Sequence, residues 1–124
     1  LRLASVEPGR AVVQVTPGEF HYNPIGSVHG GLLATIADSA LGCAIHTTLP
    51  AGVGYTTIEL HTNFLRAITV GSGEITCAAE VIHAGGRIAT AQAKVYDAAG
   101  KIYGHATTTC MILRPQSAKT GEQG

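Results

Sequence analysis

The sequence predicts an α+β fold, an antiparallel sheet with one long apolar helix lying on it. Three observations carry that reading. Leu32, Leu33, Ile36, Ala37, Ala40, Leu41, Ala44 and Ile45 recur at spacings of one, three and four, the signature of a helix apolar over more than half its circumference. After residue 54 the apolar period falls to two, the mark of half-buried strands. The segments also come in a fixed order: two short strands, the helix, then four strand-like segments in a meander, which favours antiparallel pairing.

Residues 1–7 and 10–16 form the first two strands around Pro8-Gly9, a hairpin. Residues 17–27 hold Pro17, Gly18, Asn23, Pro24 and Gly26 and make an irregular loop. The helix runs from about Val28 to about Leu49, with Ser27 as N-cap and Pro50 and Gly52 ending it. A helix so apolar is nearly wrapped by protein. Gly42 inside it costs on the order of 1 kcal/mol against Ala, so its presence implies close packing against it.

Residues 55–66 place Ile58, Leu60, Thr62 and Phe64 on one face and Thr57, Glu59, His61 and Asn63 on the other. Residues 73–83 set Ile75, Cys77, Ala79 and Val81 against Glu74, Thr76 and Glu80. Gly85-Gly86 makes a tight turn of the kind that takes positive φ. Residues 87–97 line up Ala89, Ala91, Ala93 and Val95, a small-residue row against which a helix approaches closely. After Ala98-Ala99-Gly100, residues 101–113 put Ile102, Ala106, Cys110 and Ile112 on one face. A sheet of this size wrapped around one helix is the hotdog arrangement. Residues 1–115 make a single domain, and the polar tail 116–124 is expected to be disordered. One helix cannot cover such a sheet, so a dimer at least is expected.

Composition narrows the function. The 124 residues are 45% hydrophobic and 13% charged with zero formal net charge, which gives no basic face for nucleic acid or an anionic membrane. Cys43, Cys77 and Cys110 are odd in number and far apart, so they read as reduced core residues of a cytoplasmic protein. The N-terminal residues carry no signal-peptide pattern, and His29 and Asp38 interrupt the one stretch long enough to invite a membrane reading. The histidines show no metal-ligand spacing, so no metal and no cofactor is expected.

The chemistry concentrates at the helix start. From residue 20 to residue 58 Asp38 is the single charged residue, and a lone carboxylate among apolar neighbours needs a reason. Gly30 and Gly31 leave the first backbone N–H groups uncovered, a seat for a polarised carbonyl or an oxyanion. Asn23 adds a side-chain amide, and Asp38 offers a general base or a nucleophile. The bland alternatives are an Asp38 tied to Ser39 or Thr35 and a structural His29 at the helix entry.

Asn23-Pro24-Ile25-Gly26-Ser27-Val28-His29-Gly30-Gly31, then Asp38, Thr57-Ile58-Glu59-Leu60 and Asn63-Phe64-Leu65-Arg66, resemble the hotdog thioesterases of the phenylacetic-acid-degradation type, over about Val12 to Leu113. The resemblance implies hydrolysis of an acyl-coenzyme A thioester at sites shared by two subunits. On that pattern the Gly30 N–H and Asn23 hold the carbonyl, while His29 and Gly31 shape the substrate seat. Asp38 of the facing subunit activates water or attacks directly, with Thr57 placing the water. Arg66 and the turn Gly86-Arg87-Ile88 contact coenzyme A. Dimers paired into homotetramers are common among similar proteins. Ala67 stands where many relatives carry proline, and Asp rather than Glu occupies position 38. Two other functions compete: an acyl-CoA-binding sensor without turnover, and a hydroxyacyl-thioester dehydratase.

Overall fold

The computed structural model describes residues 2–18 and 30–115. The loop 19–27, the helix entry at Val28-His29 and the tail from residue 116 lie outside the described residues. The elements are β1 (Arg2–Glu7), β2 (Arg10–Val15), α1 (Gly30–His46), β3 (Gly54–Phe64), β4 (Ile75–Ala84), β5 (Ile88–Asp97) and β6 (Ile102–Leu113).

The strands form one six-stranded sheet in the order β1-β2-β4-β5-β6-β3, with every neighbouring pair antiparallel. Only β4, β5 and β6 form the expected meander. β3 leaves it and pairs with β6, because residues 65–74, with Ile68 buried and a 3-10 turn at Val70–Ser72, carry the chain back across the sheet. β3 therefore makes one edge and β1 the other.

Helix α1 touches all six strands, so the sheet curls about it. Leu33, Ile36, Ala37, Ala40, Leu41, Ala44 and Ile45 are buried, as their spacing predicts. Each large member contributes about 1.5–3 kcal/mol by leaving water. They meet Ile75, Cys77 and Ala79 of β4 and the row Ala89, Ala91, Ala93 and Val95 of β5, all buried on one face. Cys77 and Cys110 are core residues and Cys43 is half-buried; burial pushes the Cys77 thiol up to about 12.

The wrapping is less complete than the composition of α1 implies. Thr35, Asp38 and His46, three and eight residues apart, remain exposed and mark a strip that the sheet leaves open. The expected close packing at Gly42 is real: the ring of Tyr55 lies there, its Cζ 3.0 Å from where a Cβ would sit.

Two irregularities move side chains from their expected faces. Thr57 pairs with Cys110 and Glu59 with Thr109, so Ile58 is an extra residue in β3. Ile58 points outward, 53% exposed, and Thr57 shares the helix-facing side with Leu60 instead of opposing it. A second shift lies where Val95 pairs with Gly104 and Tyr96 with Ile102. It buries Tyr103 and turns Ile102 outward.

The turns also differ from expectation. Neither Gly85 nor Gly86 has positive φ. At Gly85 the requirement is space, since a Cβ would fall 3.0 Å from the Ile88 carbonyl oxygen and from His83 Nε2. The β5–β6 turn does use positive φ, at Gly100 (87°), and is organised by Asp97. Its Oδ1 accepts from the N–H of Lys101 (2.9 Å) and Ala99 (3.0 Å), and its Oδ2 from the Tyr103 hydroxyl (3.1 Å). The Lys101 N–H leads in holding the Asp97 carboxyl below its ordinary range, helped by Tyr103, Ala99 and the Lys101 charge and opposed by partial desolvation.

Two predictions follow from packing and turn chemistry. Gly104→Ala places a Cβ 2.7 Å from the Asn63 carbonyl oxygen and 3.2 Å from Leu33 Cδ2; urea unfolding should show a loss of about 1–3 kcal/mol. Gly86→Ala, with nothing within 4 Å, should change stability by less than about 0.5 kcal/mol. For Asp97, a depressed folded pKa gives stability that is present above its unfolded value and lost as pH falls through the folded one. The melting-temperature gap between the parent and Asp97→Ala should hold steady from neutral pH down to about pH 5 and narrow below about pH 4.

Candidate active site

The extra residue in β3 creates the one contact between side chains singled out by the sequence. With Thr57 turned toward the helix, its hydroxyl donates to Asp38 Oδ1 at 3.3 Å. Asp38 occupies the middle of the open strip on α1, and Thr57 lies in the edge strand beside it. The Thr57 hydroxyl also sits 3.8 Å from Cys110 Sγ, which in turn lies 3.8 Å from the Thr108 hydroxyl. Thr108, the buried polar residue of this core, donates to the Glu59 carbonyl oxygen at 2.8 Å and ties down the strand just past the bulge.

Tyr55 completes this wall. It lies on the helix-facing side of β3 two residues before Thr57, over Gly42, with its ring centroid 6.0 Å from that of His46. Burial raises its phenol pKa above 10.0, with further contributions from Cys43, Asp38 and Cys110. Tyr55 was not among the residues singled out in the sequence. Its signal was indirect, the interior glycine four residues after Asp38.

Gly30 and Gly31 open α1 at its N-terminus, with no acidic residue in the first turn, so backbone N–H groups are presented there as expected. Asn23 and His29 lie outside the described residues. From Gly30 to Asp38 the rise is about 12 Å, which an aspartate side chain does not span. The carbonyl seat and the carboxylate of one chain are therefore separate places.

The residues expected at coenzyme A divide between the two ends of β6. The Gly86-Arg87-Ile88 turn lies at its C-terminal end: the Ile112 N–H donates to the Arg87 carbonyl oxygen at 2.8 Å, and Arg114 Nε to that of Gly86 at 3.0 Å. Arg87, Ile88, Met111 and Ile112 line a shallow depression of ≈ 410 Å³. Arg66 lies at the other end, where its Nε reaches the Ile102 carbonyl oxygen at 3.4 Å. Thr57, paired with Cys110, belongs to the Arg87 end. A single chain thus gathers Asp38, Thr57 and the Gly86-Arg87-Ile88 turn but leaves Arg66 apart. Among the described residues no group of three or more His, Cys, Asp or Glu is placed to hold a metal, and no helix is long and apolar enough to cross a membrane.

One helix held in a curled antiparallel sheet, with the open helix strip beside an edge strand, is the hotdog fold. The Thioesterase superfamily profile matches residues 25–103, and the chain belongs to that family; it is a thioester hydrolase. Among sequence relatives, the 1,4-dihydroxy-2-naphthoyl-CoA hydrolase of Listeria monocytogenes is 28% identical over 102 residues, 82% of this chain and 81% of that one. Among solved structures, the E. coli PaaI protein from the phenylacetic acid degradation operon superposes with a TM-score of 0.81 at 24% identity, covering 89% of this chain and 77% of that one. The BH2602 protein of Bacillus halodurans, solved with CoA, gives a TM-score of 0.77 at 27% identity, over 82% and 66%.

Tyr55 supplies a spectroscopic check. In a tyrosine-ring NMR titration its phenol should ionise above pH 10, and Asp38→Asn, by removing a neighbouring negative charge, should lower that midpoint.

Proposed function

We propose that the protein hydrolyses the thioester bond of an acyl- or aryl-coenzyme A to the free acid and coenzyme A, at sites shared between two subunits. The observation that carries this reading is the Asp38 carboxylate, hydrogen-bonded by Thr57 on an uncovered helix strip beside the free edge of β3. A carboxylate kept for packing or capping gains nothing from that position. One that must meet a substrate held by a neighbouring subunit does.

The Gly30 N–H and the Asn23 amide polarise the thioester carbonyl; one such donor is worth about 2.7–4 kcal/mol of barrier in acyl transfer. His29 and Gly31 shape that seat. Asp38 of the facing subunit takes a proton from water as the water oxygen adds to the carbonyl carbon, and Thr57 orients the pair. The C–S bond then breaks, and the coenzyme leaves as a thiolate that takes up the proton. Arg66 and the Gly86-Arg87-Ile88 turn bind the coenzyme, their guanidiniums suited to its phosphates.

The 12 Å rise between Gly30 and Asp38 in one helix supports division of the site between subunits. So does the edge strand, whose exposed Ile58 and Phe64 favour pairing with a second copy in a homodimer, with two dimers joining as a homotetramer. The domain is complete over 1–115, and three free cysteines suit a cytoplasmic setting. The 1,4-dihydroxy-2-naphthoyl-CoA named for the Listeria relative and the CoA held by the Bacillus halodurans protein favour coenzyme A over a carrier protein as the thiol.

The test is subunit complementation. Asp38→Asn and Asn23→Ala should each lower thioesterase turnover at least 100-fold while the oligomer persists in light scattering. Co-expressed, they should regain about one quarter of parental activity, since half of randomly mixed dimers are hybrids and each hybrid keeps one intact site. Parental rates in Asp38→Asn, or no regain in verified hybrids, would reject the assignment. Tight acyl-CoA binding with no turnover would make the protein a sensor.

A further inference from the structure

We propose that Tyr55 is the end wall of the acyl pocket and restricts the substrate to short aliphatic or single-ring acyl groups; this deepens, and rests on, the thioesterase reading of Asp38. Asp38, Gly42 and His46 succeed one another at intervals of four along one line of α1. Tyr55 and Thr57, two apart, share the helix-facing side of β3. The two lines run in opposite directions. Thr57 stands over Asp38 at 3.3 Å, the Tyr55 ring lies on Gly42, and His46 backs the ring at a centroid distance of 6.0 Å. The space between helix and strand is therefore lined by a small threonine at the carboxylate and filled by an aromatic ring one turn further on.

Gly42 makes that filling possible. A Cβ there would overlap the phenol, with Tyr55 Cζ at 3.0 Å and Cε2 at 3.2 Å. The ring thus sits against bare helix backbone. Coenzyme A carries phosphates that must stay in water, so the apolar acyl group takes the opposite, enclosed direction, toward Gly42. From Asp38 to Gly42 the helix rises about 6 Å, room for about four or five carbon atoms or one aromatic ring. Because burial raises the phenol's pKa, the wall stays uncharged at neutral pH.

The test compares the parent with Tyr55→Ala, Tyr55→Leu and Tyr55→Phe, using calorimetric binding of S-alkyl-coenzyme A thioethers of increasing chain length and kcat/KM for the matching acyl-CoAs. The parent should lose affinity beyond about five carbons. Tyr55→Ala and Tyr55→Leu should move that break to longer chains, changing the long-to-short ratio at least about 10-fold. Tyr55→Phe keeps the ring and should keep the profile. A parental profile without length dependence, no thioether binding at all, or an unmoved break in either folded truncation variant overturns the proposal. The thioethers contain no cleavable ester, so length-dependent binding without turnover rejects the catalytic role of Asp38 and leaves the wall standing. An inactive Asp38→Asn beside a Tyr55→Ala of unchanged profile rejects the wall alone.

Discussion

The fold depends on how closely α1 approaches the sheet. Ala37, Ala40 and Ala44 on the helix meet Ala79 of β4 and Ala89, Ala91 and Ala93 of β5, and all are buried. Small residues on both sides bring the helix axis near the strands, and the sheet must then curl to reach the larger Ile36, Leu41 and Ile45 on the flanks. Curling sends β3 to the edge beyond β6 and leaves a strip of helix without a strand above it. Asp38 stands on that strip. The exposure of the carboxylate and the tight core are two results of one packing decision.

The same residues explain how much was legible in the sequence. The helix was visible because its apolar spacing is dictated by a cylinder buried on most sides, and β4 and β5 because their alternation is unbroken. β3 and β6 were read a residue out of phase in part, since a bulge leaves no mark in an alternating pattern. The pairing of β3 with β6 was equally invisible, being set by a connection whose own residues show no period. At the site, Asp38 stood out as the single charge in a long apolar stretch, and Thr57 through its resemblance to known thioesterases. Tyr55 escaped notice because its partner is an absent side chain, and a glycine says that something approaches without saying what. The opposite placement of Arg66 and Arg87 along β6 needed the register of the sheet.

The bulge at Ile58 divides β3 into two stretches that keep separate phase. Upstream, Tyr55 and Thr57 are oriented by α1; downstream, Leu60 and Thr62 answer to the rest of the sheet, with Thr108 clamping the junction. A strand without the extra residue would have to choose between aiming its hydroxyl at the acid and keeping leucine out of water. One surplus amino acid removes that conflict, and each stretch is free to vary its side chains in evolution without re-aiming the other.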